Sequence, residues 1–106
     1  MTLAELYTLL KTTGLPVTYR AWPEQAAPPL PWIAYLAAYT NNFAADGGVY
    51  AGITHLQIEL YTKNKDPAQE AKVEAALATV PGIFWEKTEE YLDDEQCLEV
   101  LYEIEV

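Results

Sequence analysis

A chain of 106 residues with sixteen acidic and six basic side chains, formal charge −10, has the length of one domain, and its charge excludes phosphate-backbone binding as the main activity. Apolar residues make up 51% and aromatics 12%, enough for a packed interior and against disorder. No apolar run approaches the ~20 residues of a membrane span, no signal-peptide pattern opens the chain, and Cys97 is alone, which excludes an intrachain disulfide and makes a reducing compartment the simpler expectation.

The first expected element is a helix. Thr2 and Glu5 have the spacing of a capping box, Leu3, Leu6, Tyr7 and Leu10 form a stripe, and Gly14 and Pro16 end it. Val17 to Ala21 reads as a short strand. Trp22 to Pro31 holds four of the seven prolines and reads as an extended connection within one core. Trp32 to Thr40 alternates with apolar residues on both sides, the pattern of a central strand. Asn41 to Gly48 is expected to be a loop, with a turn at Asp46-Gly47-Gly48.

Val49 to Thr62 reads as a long strand pairing back, with Leu56, Ile58 and Leu60 on one face and His55, Gln57, Glu59 and Tyr61 on the other. Gly52 within it predicts a bulge or a close backbone approach. A second helix follows, capped by Asp66 with Gln69 as box partner, buried along Val73, Ala76, Leu77 and Val80, and stopped by Pro81-Gly82. Lys65 ahead of the cap reads as a surface residue. Ile83 to Leu92, an acidic turn at Asp93-Asp94-Glu95, and Cys97 to Val106 form a closing hairpin, in which Leu98, Val100, Tyr102 and Ile104 alternate with Glu99, Leu101, Glu103 and Glu105. The expected class is α+β, a mainly antiparallel sheet of four to five strands with two helices on one side, in the order α-β-β-β-α-β-β.

Catalytic and metal motifs are absent from the sequence. His55 is the one histidine, and general-base work needs an orienting group, for which Glu59, four residues along the same strand face and thus ~13 Å away, is too distant. Cys97 stands among acids, which disfavour a reactive thiolate. The carboxylates at Glu89-Glu90 and Asp93-Asp94-Glu95 match neither an apolar glycosidase pocket nor a calcium loop. No phosphate loop, dinucleotide fingerprint or metal-spaced Cys/His set occurs, so neither catalysis nor a cofactor is expected. The last quarter carries nine acids against Lys87 alone. Such a run is most often a solvated face, and it also fits a surface that repels nucleic acid or attracts a basic partner.

Several stretches, taken in order, resemble the tail-completion or tail-terminator (tail-to-head joining) proteins of long-tailed bacteriophages and prophages. They are Pro28-Pro29-Leu30-Pro31-Trp32-Ile33-Ala34-Tyr35, Asn42-Phe43-Ala44-Ala45-Asp46, Val49-Tyr50, Gln57-Ile58-Glu59-Leu60-Tyr61-Thr62, Lys65-Asp66 with Glu70, Glu74 and Leu77, Trp85-Glu86-Lys87-Thr88-Glu89 with Tyr91, and Tyr102-Glu103-Ile104-Glu105-Val106. Gly47-Gly48 departs from the pattern, where a bulkier residue follows the Asp. The resemblance implies a virion structural protein without catalysis. It would be a subunit of a homo-oligomeric ring, commonly six-fold, that caps the tail tube and meets the head–tail connector, with no sequence-specific nucleic-acid binding and no membrane contact.

Candidate contact residues are Asn42, Phe43, Asp46, Trp22 and Trp32, with Phe43 either at an interface or packed into its own subunit. Glu59, Glu99, Glu103 and Glu105 form a candidate acidic face that DNA passes without sticking. The rival reading is a small acidic inhibitor that mimics DNA and binds a basic protein, a monomer or dimer with steep salt dependence. A hydrolase has only surface carboxylates in its favour.

Overall fold

A computed structural model describes residues 1–45 and 48–105, with side chains at 1–38 and 55–105. Helix α1 (Leu3–Lys11) begins at a closed capping box, in which Glu5 N–H donates to Thr2 Oγ1 at 3.0 Å and Thr2 N–H to Glu5 Oε1 at 2.9 Å. Leu6 and Leu10 are buried and Leu9 packs beside them, while Leu3 and Tyr7 at the margin of the stripe stay exposed. Gly14, at φ +83°, turns the chain into β1 (Val17–Tyr19).

The remaining elements are β2 (Trp32–Ala45), β3 (Gly48–Thr62), α2 (Pro67–Ala78), β4 (Phe84–Leu92) and β5 (Cys97–Glu105). The strands form one sheet in the order β1-β2-β3-β5-β4, with β1 parallel to β2 and every other pair antiparallel. The fold is the expected α+β class and element order. Both helices lie on one face of the sheet, where Ile33, Ile58, Leu60, Val100 and Tyr102 meet Leu6, Leu10, Val73 and Leu77 in a common core.

The hairpin of β2 and β3 is longer than expected. Asn41 to Ala45 continue β2 instead of forming a loop, and the ladder runs on through Asn42↔Gly52 and Phe43↔Ala51 to Ala45↔Gly48. Asp46 and Gly47, where the turn was expected, lie outside the described residues. Because β5 pairs with β3 only from His55 to Thr62, the rest of the hairpin projects as a two-stranded arm. Its register shifts fall at Ala38 and Tyr50, not at Gly52, which pairs in register.

Asp66 caps α2 by accepting the Gln69 N–H at 3.4 Å, but Gln69 Oε1 makes no hydrogen bond, so the reciprocal half of the box is not closed. Val73, Ala76 and Leu77 are buried as expected; Val80 lies past the helix end and is half-buried. Glu70 joins the buried stripe at 4% exposure.

Candidate functional site

Successive strand residues point to opposite faces, so burying the apolar set under the helices assigns every other residue to the open face. Three rows across β2, β3, β5 and β4 follow from the register: Trp32, Tyr61, Glu99 and Glu90; Ala34, Glu59, Leu101 and Thr88; Leu36, Gln57, Glu103 and Glu86; beyond them His55, Glu105 and Phe84 are aligned on β3, β5 and β4, and Ala38, at the register shift, lines the same groove. The face grades from apolar on β2 to acidic on β5 and β4. It carries carboxylates at Glu59, Glu86, Glu90, Glu99, Glu103 and Glu105, and no Lys or Arg stands among these positions. Glu59, Glu99, Glu103 and Glu105 thus share one face.

Two pairs, Glu86↔Glu103 and Glu90↔Glu99, are directly opposite on neighbouring strands. Like charges in that relation destabilise a sheet. Glu59 is half-buried next to Glu99, and burial first, then the Glu99 charge, pushes its carboxyl above the usual value. The Tyr61 hydroxyl donates to Glu99 Oε2 at 2.8 Å, and burial together with this bond raises the phenol above its ordinary value.

At the β2 end the face is closed by an aromatic corner. Trp22, from the proline-rich connection, packs edge-on against Trp32 with ring centres 5.8 Å apart, and Trp32 lies 4.4 Å from the Tyr61 ring. Trp22 and Trp32 are half-buried against each other instead of standing free, and Trp22 Nε1 is buried without a hydrogen-bond partner. Asn42 and Phe43 lie in the arm, remote from this corner along β2; Asp46 is outside the described residues.

His55 Nδ1 sits 3.4 Å from Glu105 Oε1, in a groove of about 470 Å³ lined by Ala38, Gln57, Phe84, Glu86 and Glu103 among others. Phe84, at 80% exposure, is the most exposed large apolar side chain among the described residues. Sequence reading missed it; its parity with Glu86 and Glu90 is the signal that places it on the open face. Cys97 is buried, and burial, then the charges of Glu95 and Glu99, raises its thiol above the ordinary value. Among the described residues no group of three or more His, Cys, Asp and Glu is placed to hold a metal.

On the opposite face Lys65 and Lys87 pair with carboxylates. Lys65 is at the surface as expected, and there its Nζ reaches Glu70 Oε2 at 2.8 Å and Glu89 Oε1 at 2.7 Å, bridging the helix and β4. Lys87 Nζ reaches Glu70 Oε1 at 3.1 Å and Glu74 Oε2 at 2.8 Å, and the Tyr102 hydroxyl donates to the same Glu74 oxygen at 2.8 Å. Burial alone would raise the Glu70 carboxyl, but hydrogen bonds from both lysines outweigh it and hold it below the usual value. Glu89 and Glu90, adjacent in sequence, therefore serve opposite faces.

No family model matches the chain, and no curated protein matches it. Its fold is similar to that of a chain in the solved structure of the virion of a native gene transfer agent particle, with a TM-score of 0.62 at 13% identity, over 97% of this chain and 85% of that one.

Proposed function

We propose that the protein is a structural subunit of a phage-type virion, the tail-terminator or tail-completion protein. In this reading it forms a ring, six-fold by the resemblance, at the head-proximal end of the tail and joins tail to head without catalysis. The observation that carries the reading is the open face: six carboxylates, two of their pairs directly opposed, and no Lys or Arg on the four-stranded grid. A fold gains no stability from such an arrangement, so the reason for it lies in what the face meets. A wall of a channel carrying DNA has to be negative, because like charge keeps the duplex from adhering and leaves its counterions in place. The fold it shares with a chain of a gene transfer agent virion supports the same setting. The half-buried aromatic corner and the arm are the places left for subunit and tail contacts.

Negative-stain microscopy of the purified protein mixed with unfinished tail tubes tests the reading. Rings or caps at one tube end are expected. A protein that stays monomeric, ignores tubes and instead captures a basic protein with steep salt dependence would replace this reading with the DNA-mimic one.

A further inference from the structure

The two edges of the sheet are finished differently. β4 carries Glu86, Lys87, Glu89 and Glu90, an acidic set that disfavours pairing with another edge of the same kind but not with a neutral strand. β2 is covered only at its start. There Ile33 N–H donates to the Pro16 carbonyl at 2.8 Å, Arg20 N–H donates to the Tyr35 carbonyl at 2.9 Å, and the Tyr19 hydroxyl lies 3.5 Å from Ala37 N–H. β1 pairs with no residue beyond Tyr35.

Strand parity says which groups are left over. Ile33, Tyr35 and Ala37 turn their backbone groups outward, and the register shift at Ala38 moves that parity by one residue. Thr40 and Asn42, opposite Thr54 and Gly52, therefore turn N–H and C=O away from β3. From Leu36 to Ala45 the chain has no proline and no charged residue, although its formal charge is −10. Apart from the register shift at Ala38, this long edge lacks the usual protections of proline and charge, and unpaired edges of that kind are templates for a further strand.

We propose that the outer edge of the arm at Thr40 and Asn42 adds as a strand to the β4 edge of a second copy of this chain. The inference rests on the ring reading above and names its subunit contact. A neutral strand against an acidic edge opposes no like charges, whereas β4 against β4 sets the acids of two copies face to face. Each copy then offers one donor edge and one acceptor edge, the head-to-tail relation that closes a ring.

Parity also supplies the test. Thr40→Pro with Asn42→Pro removes outward N–H groups and leaves the β2–β3 ladder intact, as proline on an edge strand allows. On β4, Tyr91 is opposite Leu98 and has the outward parity, so Tyr91→Pro blocks the acceptor edge. By analytical ultracentrifugation, with tail tubes added where needed, wild type should assemble and each variant alone should be monomeric with near-wild-type circular dichroism. An equimolar mixture of the two variants should give a heterodimer, because one intact donor meets one intact acceptor. If a proline variant loses its fold, Thr40→Asp with Asn42→Asp, which opposes acid to the acidic β4, should give the same loss of assembly. Wild-type assembly with both variants still assembling overturns this contact and leaves the ring. A Tyr91→Pro homodimer also overturns it, because arm would then pair with arm. A wild type monomeric with and without tubes removes the ring reading and the contact with it.

Discussion

Glu90 and Glu99 stand directly opposite each other on β4 and β5, on the face turned away from the helices. Glu99 accepts a hydrogen bond from the Tyr61 hydroxyl, a neutral donor, at 2.8 Å. The pair is thus held in register by the buried apolar residues between which it alternates, against its own repulsion.

Removing the charge from one member should therefore stabilise the isolated subunit. Glu90→Gln and Glu86→Gln are each expected to gain ~0.2–1 kcal/mol by urea unfolding. Added salt should stabilise wild type more than either variant, because screening removes the same repulsion. Unchanged or lower stability in both would mean that the opposed carboxylates do not repel in the folded state.

On the helix side the sign reverses. Glu70 and Glu74 titrate below 4.5 in the fold: in Glu70 the lysine bonds outweigh burial, and in Glu74 the Lys87 bond leads. Their contribution is complete above that value and is lost as pH falls from it through the lower folded values, because the unfolded chain takes up the protons first. Glu59 runs the other way, since burial raises its folded value and its contribution is lost as pH rises through that value. Glu70→Gln should cost about 1–3 kcal/mol at neutral pH and flatten the acid limb of stability against pH. Glu59→Gln should stabilise at neutral pH and lose that gain in acid. An unaltered acid limb in Glu70→Gln would count against the bridge from Lys65 and Lys87.

β5 offers a direct comparison of its two faces. Ile104, 2% exposed, is in the core, and Ile104→Ala should cost ~2–5 kcal/mol. Glu103→Gln, one residue away on the open face, should cost little or stabilise slightly. Similar losses at both positions in denaturant unfolding would contradict the assigned parity.

His55→Ala and Cys97→Ala should leave tail completion intact, since the proposed role uses neither group as acid, base or nucleophile. The Cys97 thiol should react slowly with a thiol reagent in the native protein and quickly in denaturant, because burial shields it and raises its pKa. Loss of completion in a well-folded variant of either residue would reopen the question of catalysis.

Period-two alternation made the class, the element order and the faces of β3 and β5 legible, because burial under two helices forces it. Glu59, Glu99, Glu103 and Glu105 could be put on one face for the same reason. The arm was not legible: turn-forming residues between Asn41 and Gly48 read as a loop, although a paired ladder accommodates Asn41 and Asn42. The bridges of Lys65 and Lys87 were hidden as well, since they join α2 to a strand distant in sequence and local pattern does not encode that distance. Glu86 and Glu90 became members of the open face only once β4 was set beside β5.

The strand order also fixes when the fold can be completed during synthesis. β2 and β3 pair as neighbours in sequence, but β4 has no partner until β5, which lies between it and β3, has left the ribosome. Until then Leu56, Ile58 and Leu60 have their β2 partners on one side and an open ladder on the other. Closure of β3 on β5 comes after a long intervening stretch that includes α2, and such non-local pairing is slow. Both β3 and β4 thus depend on one late strand, β5, to complete their ladders.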